Sequence, residues 1–230
     1  YKPVQGHLGY VAQPEFTKEM RGRHKILCPQ MSPIHFDMLE AAFRHSGYDV
    51  DILTDCSKAV VDEGLKYVNN DACYPSILVV GQLIHALKSG KYDINNTSVM
   101  ITQTGGACRA TNYVGMLKKA LKDAGFANVP LISLNVVGLE KQSGFKLSAR
   151  LALRAFMGIV YGDVLSRCLY KVRPYEVTKG SANALYEKWR VFLRGELERI
   201  SFKRFNENVR SIVKDFSEFP VLDVKKPKVG

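Results

Sequence analysis

The chain lacks a long apolar run without charges. Its most apolar stretch, Leu147–Tyr170, carries three arginines and one aspartate, whereas a membrane-spanning helix needs about 18 or more predominantly apolar residues. No basic segment followed by an apolar run and a small-residue cleavage site stands at the start, so nothing in the sequence indicates export. We therefore expect a cytoplasmic protein without a membrane span.

The chain also lacks a C-x-x-C pair. This removes local support for a zinc ribbon, a ferredoxin-type cluster or thioredoxin chemistry. The cysteines are odd in number and widely spaced, which argues against a disulfide framework and favours reduced thiols. They stand at Cys28, Cys56, Cys73, Cys108 and Cys168. Any metal site must be assembled from segments that are distant in sequence.

Sequence motifs for nucleotides and nucleic acids are missing as well. Neither G-x-G-x-x-G nor G-x-x-x-x-G-K-[ST] occurs, and there is no zinc finger, helix-turn-helix or RNA-binding signature. The net charge is nevertheless +11, with 14 Lys and Arg against 8 Asp and Glu between Lys171 and Gly230. A basic surface suits an acidic partner domain or a phosphate-bearing ligand. We do not expect a nucleic-acid partner, and the plainest interpretation of these basic helices is a solvated face.

Short apolar runs alternate with amphipathic stretches in the first 145 residues. Short loops between strand, helix and strand predict parallel pairing with right-handed crossovers. The predicted strands are Arg23–Cys28, Asp49–Leu53, Ser98–Gln103 and Val129–Asn135. The predicted helices start near Ser32, Val60, Ser76 and Tyr113. Ser32 and Ser76 are interpreted as helix N-caps.

After Gly144 the strand pattern stops. Leu147–Tyr170 and Ala182–Phe219 are each predicted to be one long helix, with a break at Arg173 and Pro174. The expected fold is α/β, an open parallel sheet of Rossmann or flavodoxin type followed by a helical C-terminal section. The expected divisions are an extension over 1–22, an α/β domain over 23–145, the helical section over 146–219 and a flexible tail over 220–230.

The stretch from Ser98 to Asn112 joins an apolar strand, a glycine pair and a helix start. Cys108 follows Gly105 and Gly106 directly before that helix, where the positive end of the helix dipole favours an ionised thiol. This suits metal binding or redox work. The alternative is that the glycines form only a tight turn and Cys108 is a small buried residue.

Cysteines follow or precede the predicted strands at one edge of the sheet. Cys28, Cys56 and Cys108 follow the first, second and third strands, and Cys73 lies in the turn before the third. Loops at the carboxyl ends of parallel strands meet at one edge, so up to four thiols are expected to converge there. Soft thiolates in such a set are what an iron–sulfur cluster needs. Each cysteine alone is more often structural, and Cys168 is expected in a helix core.

Several polar residues accompany these cysteines. Arg109 is placed to neutralise a thiolate or an anionic ligand, although a solvated helix-start residue is an equal alternative. Side-chain amides near the cysteines are candidates to donate hydrogen bonds to sulfur, or else to cap turns. They belong to Asn69, Asn70, Gln82, Gln103 and Asn112. The histidines show no ligand spacing, and no general base is evident.

Four segments carry a resemblance to a known family: LCP at 27–29, NNDACYP at 69–75 with GQ at 81–82, QTGGACR at 103–109 with NY at 112–113, and RPYE at 173–176. Over roughly residues 23–190 the chain resembles the acyl-CoA dehydratase activase-related proteins. These large proteins of anaerobes join activase-like ATPase modules to a region similar to 2-hydroxyacyl-CoA dehydratase subunits.

The resemblance implies that Cys28, Cys73 and Cys108 hold a cluster of the 4Fe–4S type, which air can remove from a sample. From their place beside these cysteines, Arg109, Asn112, Gln82 and Asn70 are expected as its surroundings or as substrate contacts, and Cys56 has no counterpart in the motifs. It further implies an activase-like ATPase partner and a CoA-thioester ligand. The absent phosphate loop and the start at Tyr1 lead us to expect a piece of a longer polypeptide.

Three functions follow as hypotheses. The first is an oxygen-sensitive iron–sulfur domain that accepts an electron from an ATP-driven activase for radical chemistry on a CoA-thioester-like substrate. The second is a docking or scaffold module of a larger protein. The third is a thiol-dependent α/β enzyme that uses Cys108.

Overall fold

The structure is a computed structural model that describes residues 13–69, 71–103, 108–134 and 143–227. Within these ranges the strands are β1 (Lys25–Pro29), β2 (Val50–Leu53), β3 (Thr97–Thr102) and β4 (Leu131–Leu134). The α-helices are α1 (Pro33–Arg44), α2 (Lys58–Leu65), α3 (Tyr74–Lys88), α4 (Tyr113–Asp123), α5 (Ala149–Val172), α6 (Ser181–Glu196) and α7 (Phe202–Ser217). Short 3-10 helices lie at Met20–Gly22, Ile94–Asn96, Arg109–Asn112 and Arg173–Tyr175.

The four strands form one parallel sheet in the order β2–β1–β3–β4. This confirms the predicted α/β fold, in which a helical C-terminal section follows the sheet. Strands β1 and β3 are neighbours, with Leu27 beside Val99. From β1 the chain continues to its neighbour β2 at one edge of the sheet, and from β3 it continues to β4 at the other edge. The strand order therefore reverses between β1 and β3. In open α/β sheets, ligands bind at such a point, outside the carboxyl ends of the strands.

The described residues divide into two compact units. The first comprises Tyr1–Met31 and Tyr48–Lys146, and the second comprises Ser32–Gly47 and Leu147–Gly230. Helix α1 therefore groups with α5, α6 and α7, although it follows β1 directly in the chain. The first unit holds the sheet and helices α2 to α4.

The core of the first unit lies between one face of the sheet and helices α3 and α4. Leu27, Val99, Ile101 and Leu131 from the strands pack with α3 and α4. Alternate strand residues point to opposite faces of a sheet, so these four side chains share a face. Helix α3 contributes most, because it carries apolar residues on nearly every side. Its buried apolar members are Ile77, Val79, Val80, Leu83, Ile84, Ala86 and Leu87.

Helices α2 and α3 approach each other closely at two glycines. A Cβ atom on Gly64 would lie 2.1 Å from the carbonyl oxygen of Ile77, and one on Gly81 would lie 2.2 Å from that of Val60. Both distances are far inside van der Waals contact, and the opposing atoms belong to the backbone. Only glycine permits this crossing, which sets the position of α3 in the first unit.

The second unit is a group of four helices. Its core comes from all of them, with Met38 of α1, Leu165 of α5, Leu193 of α6 and Ile212 of α7 fully buried. The guanidinium of Arg154 donates to the carbonyl oxygens of Leu197 and Glu198 at 3.1 and 2.9 Å. These bonds satisfy carbonyl groups that the end of α6 leaves without helical partners.

Two expectations about helix limits are wrong. Ala182–Phe219 is two helices, because the chain breaks after Glu196 and Ser201 starts α7 by accepting a hydrogen bond from the amide of Arg204. Helix α3 begins at Tyr74 with Cys73 as its N-cap residue, not at Ser76. The Ser76 hydroxyl instead donates to the carbonyl oxygen of Cys73 at 2.7 Å. None of the helices in the described ranges is both long and apolar enough to cross a membrane.

Candidate functional site

The start of α3 lies beside the segment that follows β3. Arg109 Nη1 donates to the carbonyl oxygen of Asp71 at 3.0 Å, and Cys73 Sγ lies 2.9 Å from the hydroxyl oxygen of Tyr113. Two contacts therefore join residues 71–73 to residues 109–113. We call Cys73, Cys108, Arg109 and Tyr113 the thiol site, since both segments bring a cysteine to it.

Cys73 has the surroundings of a reactive thiol. It is half-buried at the N-cap of α3, with extended backbone angles. The hydrogen bond from Tyr113 is the main cause that lowers the pKa of the Cys73 thiol, against the opposing effect of burial. Hydrogen bonds with Ser76 and the positive charge of Arg109 lower this pKa further. A thiolate at a helix N-terminus is also favoured by the helix dipole.

Tyr113 is the first residue of α4 and is buried. Its pKa is raised, first by burial and then by the hydrogen bond to Cys73 and the nearby charges of Cys73 and Cys108. A phenol with a raised pKa keeps its proton and remains a hydrogen-bond donor. The contact of Tyr113 with Cys73 and that of Arg109 with Asp71 bring together the segments that carry Cys73 and Cys108.

Cys108 is exposed and caps the 3-10 helix Arg109–Asn112. The carboxyl end of β3 is connected to this helix by Gln103, which donates to the carbonyl oxygen of Thr111 at 3.0 Å. The same Gln103 accepts a hydrogen bond from the Ser133 hydroxyl of β4 at 3.1 Å. The amide of Gln103 thus supports the backbone of the cysteine-bearing segment. No contact of Gln103 with sulfur is observed in the part of the chain that the structure describes.

Cys28 has a different environment. It lies within β1, is 3% exposed, and its thiol donates to the carbonyl oxygen of Pro29 at 3.8 Å. Burial raises the pKa of this thiol to about 12, so the metal-free protein keeps it protonated. Leu27 packs against α3 and α4, and strand alternation directs Cys28 towards the opposite face.

The remaining predicted contacts are at Gln82 and Cys56. Gln82 is 2% exposed, accepts from the amide of Gln30 at 3.2 Å and donates to the carbonyl oxygen of Asp55 at 2.8 Å. It also donates to Cys56 Sγ at 3.5 Å. Gln82 therefore contacts a sulfur, but that of the exposed Cys56. Its other bonds connect the segments after β1 and β2 to α3.

Two further predicted site residues are Asn112 and Asn70. Asn112 is exposed at the end of the 3-10 helix, and its side chain makes no capping hydrogen bond at α4. Asn70 lies outside the described residues, as do Gly105 and Gly106. Among the residues that are described, no group of three or more His, Cys, Asp or Glu side chains is placed to hold a metal ion. The ligand roles of Cys28, Cys73 and Cys108 stay predictions.

The sequence does not predict the contact of Tyr113 with Cys73. Its position at the start of an amphipathic helix indicates a core residue, and its ring is indeed buried. The sequence feature that points to this contact is that Tyr113 lies five residues after Cys108, in the first helical turn after a cysteine-bearing segment. The hydrogen bond to Cys73, 40 residues earlier, depends on how α3 and α4 pack.

The donor set fits an iron–sulfur cluster at two positions. Cys73 and Cys108 are soft ligands at helix starts, and Arg109 and the Tyr113 hydroxyl are a cation and a hydrogen-bond donor near Cys73; thiolates hold such clusters, and charges and hydrogen bonds near the sulfurs tune them. Cys28 fits less well, because it is a protonated thiol inside a strand. Comparisons with protein-family models, with curated proteins and with solved structures return no match for this chain.

Proposed function

We propose that the first unit is an iron–sulfur-binding domain of a dehydratase–activase type system, with Cys73, Cys108 and Cys28 as the protein ligands. One observation carries the proposal: Cys73 Sγ lies 2.9 Å from the hydroxyl oxygen of Tyr113, and Arg109, the residue after Cys108, donates to the carbonyl oxygen of Asp71, so that two segments that each carry a cysteine are held together. Both contacts lie near the carboxyl end of β3, and the strand order of the sheet reverses between β1 and β3. The motifs shared with the dehydratase activase-related proteins support the same ligand set.

The residues of the thiol site suit this role chemically. Soft thiolates are the preferred ligands of iron–sulfur clusters, and a cluster of this kind supplies a low-potential electron when bound. Tyr113 and Arg109 both favour the thiolate form of Cys73, which is the form that binds metal. Arg109 also brings positive charge to a site that would carry several negative sulfurs.

Whether two or three cysteines act as ligands depends on Cys28. A metal ion deprotonates a thiol that it coordinates, so the raised pKa does not exclude Cys28. Its side chain must, however, leave the buried strand face before it can join the other two thiols. A set of three thiols would leave one iron of a 4Fe–4S cluster open to another ligand.

The proposed partner is an activase-like ATPase module, and the proposed ligand is a CoA thioester, both from the family resemblance. Cys108 and Arg109 are exposed, so an electron donor can approach the thiol site from solvent. Electron acceptance from the activase would serve radical chemistry on the thioester.

Anaerobic reconstitution with iron and sulfide tests the cluster. Iron and labile sulfide per chain, together with the visible absorption of the cluster, are measured for the protein as it stands and for single Cys→Ser variants. We expect Cys73→Ser and Cys108→Ser each to lose most of the iron and Cys56→Ser to retain it. Equal loss from Cys28→Ser supports three ligands. A colourless protein without iron after reconstitution contradicts the proposal.

A thiol-dependent enzyme is a second candidate, and the structure favours Cys73 for it, not Cys108 as the sequence suggested. The lowered pKa of Cys73 and its hydrogen bond to Tyr113 are the observations that favour it. This candidate predicts that one equivalent of an alkylating reagent modifies Cys73 and abolishes an activity that does not depend on iron. Retention of that activity after alkylation excludes it.

A further inference from the structure

Tyr113 contacts Cys73 from the start of α4, five residues after Cys108. Its hydroxyl oxygen lies 2.9 Å from Cys73 Sγ, and its ring is buried in the core formed with α3 and the sheet. A ring held on all sides cannot follow a moving thiol, so the hydroxyl is a fixed point for the sulfur. A thiolate has no proton to give, and therefore Tyr113 is the donor once Cys73 is ionised or bound to metal.

A second contact holds the same two segments together. Arg109 donates to the carbonyl oxygen of Asp71, two residues before Cys73, and it stands directly after Cys108. The two hydrogen bonds hold the segment before α3 beside the segment before α4. Of the two, only that of Tyr113 reaches a sulfur atom.

We propose that Tyr113 is the positioning residue of the thiol site: its hydroxyl donates to Cys73 Sγ, orients this sulfur beside Cys108, and stabilises the reduced form of a cluster bound there. The last part rests on the proposed function. A hydrogen bond to a ligand sulfur offsets the extra negative charge that reduction adds, and such bonds are among the features that set cluster potentials. Nothing in this inference requires Tyr113 to react.

Tyr113→Phe tests the inference, with Tyr92→Phe as the matched control. Tyr92 is in the same unit and donates its hydroxyl to Asp51 at 2.7 Å, so its substitution removes one comparable bond without touching a thiol. In the reconstituted protein we expect Tyr113→Phe to keep its iron content and to shift the reduction potential to a more negative value. The potential of Tyr92→Phe should equal that of the unsubstituted protein. Equal potentials for all three proteins overturn the effect on the cluster.

A second measurement uses the iron-free protein and so separates this inference from the proposed function. Labelling of each cysteine with a small alkylating reagent is followed by mass spectrometry near neutral pH. One lost hydrogen bond corresponds to roughly a fivefold slower labelling of Cys73, with Cys56 and Cys168 unchanged as internal standards. If no cluster forms but this slowing is seen, the positioning role stands and the cluster proposal fails. Unchanged labelling of Cys73 in folded Tyr113→Phe overturns the positioning role.

Discussion

Cys73 and Cys28 show how strongly local structure controls a thiol. Cys73 caps a helix, is half-buried and shares a hydrogen bond with Tyr113, and its pKa is lowered. Cys28 lies inside a strand, where its thiol donates to the carbonyl oxygen of Pro29, and burial raises its pKa to about 12. Both are predicted cluster ligands. The difference teaches that cysteines at the same edge of a sheet need not ionise alike, because strand alternation, burial and helix capping set the pKa of each thiol.

Alkylation of the iron-free protein should give the largest difference between these two cysteines. At pH 8 we expect Cys73 to be modified at least about a thousandfold faster than Cys28, since the thiolate fraction changes tenfold per pKa unit. Quantitative peptide mass spectrometry after timed quenching measures both rates. In a denaturant the two rates should become similar, because the unfolded chain removes both environments. Comparable rates in the folded protein contradict the described environments of the two thiols.

The difference between the labelling rates of Cys73 and Cys28 should become smaller when helix α3, which begins after Cys73, is displaced. Gly64→Ala or Gly81→Ala would place a methyl group about 2 Å from a backbone carbonyl, and we expect each to lower the free energy of unfolding by about 3 kcal/mol. Denaturant unfolding followed by circular dichroism measures this. Labelling of Cys28 should then accelerate through transient opening.

Gly115→Ala is the matched control for both variants. Gly115 is a helical glycine of α4 with no atom within 4 Å of an added Cβ. Removing a glycine from an unobstructed helical position stabilises by about 0.5–1 kcal/mol. A loss of stability in Gly115→Ala, or none in Gly64→Ala, would show that the α2–α3 crossing is not as close as described.

The pH dependence of stability should have opposite signs for the two cysteines. The pKa of Cys28 is raised in the folded state, so its contribution is full below the ordinary value of 9.0 and is lost as the pH rises towards about 12. Relative to Cys28→Ala, the unfolding free energy should fall by about 1.4 kcal/mol between pH 7 and pH 10. Urea titrations at these two pH values measure it. Parallel pH profiles for the two proteins contradict the prediction.

For Cys73 the direction is reversed. Its pKa is lowered in the folded state, so its contribution is present above the unfolded value and is lost as the pH falls through the folded one. Relative to Cys73→Ser, the protein should gain stability as the pH rises towards 9. If, as the pH rises in the same buffers, the unfolding free energy increases relative to Cys73→Ser and decreases relative to Cys28→Ala, stability measurements alone would establish that the two thiols have pKa shifts of opposite sign.

Arg109→Gln should give the smallest effect. The Arg109 charge is the last of the causes that lower the pKa of Cys73, and exposed charges contribute about 0.2–1 kcal/mol. We therefore expect labelling of Cys73 to slow by about twofold. Lys119→Gln removes a positive charge from α4 that pairs with Asp123 and should leave the rate unchanged. Equal slowing in both variants would indicate a general charge effect.

Much of the fold could be predicted from the sequence. Apolar runs of strand length, each followed by an amphipathic stretch, indicate parallel strands with helical connections, and the four strands occur as expected within two residues. Proline at Pro174 and glycine at Gly125 mark chain breaks because one removes a helical donor and the other tolerates positive φ. The prediction of one helix over Ala182–Phe219 is wrong because no glycine or proline lies between Glu196 and Phe202, and Gly195 falls within the last turn of α6. The carbonyl groups there bind Arg154, which no local pattern reveals.

The sequence by itself determined the residue types available to this protein, namely five cysteines at widely spaced positions, and the parallel sheet with its helical connections. Only the tertiary structure decided which thiols have a lowered pKa and which have a raised one. Helix packing across Gly64 and Gly81 positions α3, and the Tyr113 hydroxyl then reaches Cys73 from a helix 40 residues later. Hydrogen bonding and burial depend on atoms close in space, so the pKa contrast between Cys73 and Cys28 cannot be obtained from their spacing in the chain.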